Sequence, residues 1–292
     1  MSFCNLCPRN CNVDRQKNIG FCCSNDKIKI AKADLHFGEE PCISAQNGSG
    51  TVFFSGCSLG CCFCQNSILS HENFGVEVSE KRFYDILFEL KEKGANNINL
   101  VTADHFLRQV TPIIIKAKND GLNLPIILNT SSYLKTDTVN QLKDVIDVYI
   151  ADFKFFSSAL SEKYANAPDY PEVAKLAIDA MFSQVGKTQY VNGNLVKGMI
   201  IRVLVLPGNV LDAKMIIKYI LDKYGNDVCI SIMNQYTPVI KKGYPELLRV
   251  LTDSEYKSVV DYAISQGIAN GYIQEKGSET TKYIPDFDLK GV

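Results

Sequence analysis

Ten of the eleven cysteines lie between Cys4 and Cys64, and only Cys229 falls in the rest of the 292-residue chain. Thiols packed so densely must end in disulfides, metal ligation or catalysis. An odd count argues against complete pairing. The opening residues MSFCNLCPRN hold no apolar leader, and no run approaches the roughly 18 apolar residues of a membrane span, so the expected location is the cytoplasm. Thiols stay reduced there, which leaves metal or catalysis as the expected use.

The cysteines also divide the chain. Residues 1–47 are rich in Cys, Asn, Asp and Lys and weak in apolar periodicity, as expected of a small metal-binding module. Residues 48–292 are regular. Strand-length apolar runs at 51–55, 98–103, 125–129, 146–152, 199–206 and 228–233 alternate with helical patterns near 79–93, 106–119, 136–144, 171–185 and 211–223, and a last helix covers about 253–266. Such alternation predicts an α/β fold with a parallel sheet buried on both faces, and six units fall short of an eight-fold barrel.

In parallel α/β folds the site forms at the C-terminal ends of the strands. The first strand, TVFFS, runs directly into Gly56-Cys57-Ser58-Leu59-Gly60-Cys61-Cys62-Phe63-Cys64. Cys57, Cys61 and Cys64, spaced C-x3-C-x2-C, allow one short loop to hold an iron–sulfur cluster from three corners, leaving one iron open to another ligand. A zinc site completed by His71 is the competing reading. Cys62, next to a ligand, is expected to point away.

This loop after a first strand, in a six-unit α/β chain, resembles the radical S-adenosylmethionine superfamily. Within it, EEPCISAQNGSGTVFFSGCSLGCCFCQN, DFKFF and SIMNQYTP are similar to an uncharacterised branch related to pyruvate formate-lyase activating enzyme. The resemblance implies a partial (β/α)6 radical-SAM barrel with a small Cys-rich N-terminal module, and a 4Fe-4S cluster on Cys57, Cys61 and Cys64. It implies S-adenosylmethionine on the open iron, cleaved reductively to a 5'-deoxyadenosyl radical that abstracts hydrogen from a substrate. A reducing donor such as flavodoxin or ferredoxin is implied too, with a glycyl radical enzyme or a small molecule as the target. A non-catalytic iron–sulfur or electron-transfer protein is the alternative.

Candidate cofactor contacts sit at the strand ends. Ile146, Val148, Ile150, Asp152 and Lys154 share one face by alternation, so two charges finish an apolar stripe. Arg202 lies within an apolar run and must be paired or bind a ligand. An Asp152–Arg202 ion pair and a cofactor contact stand as equal readings. Thr102, Asn129, Thr130 and Gln235 offer hydrogen bonds at other strand ends. The second strand ends in Val101-Thr102-Ala103-Asp104-His105-Phe106 where the resembling enzymes have Gly-Gly-Glu-Pro. Asp104 either replaces that glutamate or caps the following helix.

The front cysteines, Cys4-x2-Cys7-x3-Cys11 with Cys22 and Cys23, suit a second metal centre, zinc or iron–sulfur. By the resemblance, Cys22 is the fourth ligand. Cys42 reads as a buried packing thiol or a residue facing the site. Other classes lack their residues. No GxGxxG, GxxxxGK[ST] or HExxH occurs, and 31 basic against 32 acidic residues without a basic run give no footprint for nucleic acid or anionic lipid.

Overall fold

The structure, a computed structural model, describes residues 3–240, 242–274 and 285–292. Its strands are β1 (Lys29–His36), β2 (Ser49–Phe54), β3 (Val76–Glu77), β4 (Ile98–Val101), β5 (Ile126–Thr130), β6 (Val148–Asp152), β7 (Gln189–Val191), β8 (Asn194–Leu204), β9 (Cys229–Met233) and β10 (Gly271–Ile273). They form one sheet in the order β10-β9-β8-β6-β5-β4-β2-β1-β3, with β7 paired to β8. From β2 to β10 along this path every pairing is parallel, and β1 pairs antiparallel to β2. The sheet curves without closing, which makes the fold a mixed α/β partial barrel.

The helices are α1 (Pro41–Ser44), α2 (Ser67–Ser70), α3 (Glu80–Glu92), α4 (Leu107–Asn119), α5 (Thr136–Asn140), α6 (Ser158–Ala165), α7 (Tyr170–Val185), α8 (Val210–Tyr224) and α9 (Asp253–Ser265). The longer ones cover the outer face. In α3, Ser79 caps the first turn by accepting from Arg82 N–H at 3.1 Å, and Phe83, Ile86, Leu87 and Leu90 recur on one face and are buried. None of the helices among the described residues is long and apolar enough to cross a membrane.

All six expected strands are present, and the expected helices form with one shortened. The helix expected over 136–144 stops at Asn140, because Leu142 N–H and Val145 N–H turn back to Val139 O and Leu142 O and Asp144 takes a left-handed φ of 64°. The β7–β8 hairpin turns on Asn192-Gly193 at φ 51° and 81°, as two-residue hairpins require. The front segment divides at Lys29. Residues 29–36 are β1 of the sheet, whereas residues 3–28 carry neither helix nor strand.

Candidate active site

Side chains alternate across each strand, so every second residue points into the barrel. That inward row changes character along the strands. In the lower half, Ile127, Val148, Ile150, Ile200 and Cys229 pack with Cys42 and Ile43. Cys42 is thus a buried packing thiol, away from the cysteine loop. Toward the C-terminal ends the row continues as Asn129, Asp152, Arg202 and Ser231, which line a cavity of about 570 Å³. This volume lies within the usual range for small-molecule sites.

The cysteine loop closes one side. Cys57, Cys61 and Cys64 all line the cavity. Gly56 begins the loop at φ 87°, where a Cβ would stand 2.3 Å from the Cys22 carbonyl oxygen, so neither the conformation nor the space admits a side chain. Cys62 faces elsewhere: its N–H donates to Tyr164 O at 2.8 Å and its thiol neighbours Glu246 and Lys163. Phe63 anchors the loop edge-on among Phe155, Tyr164 and Tyr236. Tyr236 donates its hydroxyl to Leu247 O at 2.6 Å, a structural role.

His71 lies beside the loop, yet its Nε2 is 3.0 Å from Cys61 O, engaged with the backbone. Among the described residues no three Cys, His, Asp or Glu side chains meet at the spacing of a single ion. Three thiols along one loop, facing a cavity and a partly buried ammonium, fit a larger thiolate-bound cluster. All eleven cysteines carry free thiols, and burial pushes the Cys57 thiol up to about 11. A bound cation would displace such protons.

Asp152 and Lys154 pair at 2.7 Å, and Lys154 is close enough to Cys61 and Cys64 to feel their charge. Burial alone would lower its ammonium, but Asp152 and these thiols hold it well above the ordinary lysine value. Arg202 does not pair with Asp152, although the two face each other across the β6–β8 ladder. Its guanidinium instead holds Glu40 through two bonds, Nε–Oε1 at 2.9 Å and Nη2–Oε2 at 2.5 Å, and also bonds Glu39. Of the two readings of this pair of strand ends, the Asp152–Arg202 ion pair is the one the structure corrects. The chain between β1 and β2 inserts two carboxylates into the barrel, and they outcompete an Asp already engaged by lysine.

Glu39 accepts from Asn99 Nδ2 at 2.9 Å. Sequence reading named neither glutamate as a partner. The signal was available, since a buried arginine inside an apolar strand demands an acid and Glu39-Glu40 precedes the first barrel strand.

Thr102, Asn129, Thr130 and Gln235 line the cavity. Thr102 takes φ 60° with its N–H donating to Asn129 O at 2.9 Å, so a β-branched residue occupies a conformation that suits glycine. Asp104 lies within a single 3-10 turn, Asp104–Phe106, outside the cavity lining. Its helix-cap reading is corrected: the cap position of α4 is Phe106, and no side chain caps that helix. Its carboxyl is buried beside Thr130 and Ser131 with neither oxygen in a well-formed hydrogen bond, and burial raises it to about 7. His105 is a packing residue, its Nε2 at 2.8 Å from Ser55 O.

A family model described as a 4Fe-4S single cluster domain matches residues 46–166, which include the three loop cysteines and exclude the front ones. The uncharacterized protein MJ0674 of Methanocaldococcus jannaschii is 30% identical over 275 residues, covering 89% of this chain and 74% of its own length. Among solved structures, Streptococcus suis SuiB bound to its precursor peptide SuiA superposes with a TM-score of 0.52 at 16% identity, over 76% of this chain and 47% of SuiB. Native anSMEcpe with bound AdoMet and the Kp18Cys peptide gives 0.50 at 11% identity, over 74% and 60%. The chain thus spans about half the length of SuiB, and these likenesses establish a shared fold.

Proposed function

We propose that this chain, which belongs to the family of the Methanocaldococcus jannaschii protein MJ0674, is a radical S-adenosylmethionine enzyme. The observation that carries the reading is the placement of Cys57, Cys61 and Cys64 on the wall of a polar-ended cavity inside a parallel partial barrel. When bound, a 4Fe-4S cluster with S-adenosylmethionine supplies reductive cleavage to methionine and a 5'-deoxyadenosyl radical, which takes a hydrogen atom from a substrate.

The residues of the chain have separable tasks. The loop offers three thiols and holds itself open with Gly56 and the buried Phe63. Lys154 places positive charge beside Cys61 and Cys64, offsetting thiolate charge in a desolvated site. Thr102, Asn129, Thr130 and Gln235 present polar groups where a nucleoside and an amino acid would need them. Phe53, Leu204 and Met233 supply apolar wall that excludes water.

SuiB and anSMEcpe were solved with peptides, which supports a peptidic substrate, and the backbone of a glycyl radical enzyme is one such substrate. A low-potential donor of the flavodoxin or ferredoxin kind would supply the electron.

Lys154→Met tests the electrostatic part. Loss of the nearby positive charge is expected to make the cluster harder to reduce, lowering its potential by roughly the 59 mV that equals a tenfold change for one electron. A redox titration followed by electron paramagnetic resonance measures this. A potential equal to the parent's would remove Lys154 from the site.

A further inference from the structure

Residues 3–27 form no helix or strand, and the side chains they bury are Cys7, Arg15, Cys22 and Ser24. Phe3, Ile19 and Phe21 are exposed. A segment that buries no large apolar side chain has nothing of its own to offset the entropy of ordering. Yet its thiols gather: Cys4, Cys11 and Cys22 all lie near enough to Cys7 to act on its charge. A Cβ at Gly20 would stand 3.6 Å from both the Cys11 and Cys22 sulfurs, so these two face one spot. Phe21 N–H donates to Cys11 Sγ at 3.2 Å, the kind of support ligating sulfurs receive. Cys23 turns out of the group, its backbone at φ 58° and its thiol directed to Phe21 O.

We propose that Cys4, Cys7, Cys11 and Cys22 hold a second, thiolate-bound metal centre, and that this centre fixes the position of the Cys57–Cys64 loop. The coupling runs through Arg9, between Cys7 and Cys11. Its Nε donates to Ser58 O at 3.0 Å and its Nη2 to Leu59 O at 2.8 Å, both within the loop. Nη2 also reaches Ala165 O at 2.8 Å, Nη1 reaches Asn166 O, and the guanidinium lies 3.9 Å from the Phe21 ring centroid. Cys22 presses its carbonyl against Gly56, and Arg15 Nη1 donates to His105 O at 2.6 Å. As at the loop, no three of these sulfurs meet at the spacing of a single ion, so a zinc ion would have to draw all four inward, whereas an iron–sulfur cluster would span them; both use the same four thiolates.

The metal centre stands independently of the enzymatic reading, and the coupling rests on that reading only for its consequence. The full-length triple variant Cys57→Ala/Cys61→Ala/Cys64→Ala, prepared anaerobically, separates the two. It is expected to keep either one zinc per chain without sulfide, or iron with matching acid-labile sulfide. Neither metal would overturn the centre. For the coupling, Arg9→Met is expected to keep the front metal while hydrogen exchange of amides 56–62 speeds up roughly tenfold or more, since charge-assisted bonds to the loop are lost. Cys22→Ser should speed the same amides with the front metal gone. Should it fail to fold, Arg9→Met still decides, and exchange at the parent rate in Arg9→Met would overturn the coupling.

Discussion

Single replacement of Cys57, Cys61 or Cys64 by alanine is expected to strip the cavity of its cluster while leaving the barrel folded. Each thiolate holds one corner, and two remaining corners retain a cluster poorly against solvent and chelators. The fold does not depend on these three thiols, because none lies in the parallel ladder from β2 to β10, and in the large core Cys61 and the partly buried Cys57 are small side chains among many larger apolar ones. Iron and acid-labile sulfide should fall by the amount the cavity holds, with only the front centre's metal remaining, and far-ultraviolet circular dichroism should match the parent. Undiminished iron in all three variants would move the cluster elsewhere.

The second large effect concerns stability. Arg202→Met is expected to destabilise the protein by about 3–5 kcal/mol, because Glu39 and Glu40 would be left buried without their cation. Burial alone would raise the Glu40 carboxyl, but the Arg202 guanidinium outweighs it and holds it below the ordinary glutamate value. A folded value below the unfolded one means the contribution is full above the unfolded value of about 4.3 and fades as pH falls through the folded value. The parent and Arg202→Met should thus converge in stability under acid. Adding Glu39→Gln and Glu40→Gln to Arg202→Met should recover part of the loss at neutral pH. Equilibrium denaturation across pH measures both, and a constant difference between parent and variant down to pH about 3 would assign the effect to packing.

What the sequence disclosed follows from which signals are local. Six parallel strands and the longer helices were legible because each carries its own periodicity, as in Phe83, Ile86, Leu87 and Leu90 of α3. The cysteine loop was legible because its spacing is a coordination requirement. β1 was not, since Lys29–His36 alternates weakly and is held by its antiparallel pairing to β2 and to the two-residue strand β3. The Asn192-Gly193 pair between β7 and β8 is a local hairpin signal of the same kind. α6 carries little apolar periodicity, with Ser161, Tyr164 and Ala165 as its buried residues.

Within the site, the inward row at the strand ends could be read from alternation, which placed Asp152 and Lys154 correctly on one face. Partner choice could not. Arg202 pairs with residues 162 and 163 positions away, and only the path of the chain between β1 and β2 brings Glu39 and Glu40 there. The same holds for Arg9, whose bonds to Ser58 and Leu59 span about fifty residues of sequence.

The most direct test of the central claim is release of 5'-deoxyadenosine from S-adenosylmethionine by anaerobically reconstituted, chemically reduced protein, with Cys57→Ala beside it. The account predicts release by the parent and none by Cys57→Ala. Equal release by both, or none from a parent whose cluster is loaded, reduced and bound to S-adenosylmethionine, would contradict it and return the chain to the class of iron–sulfur electron carriers.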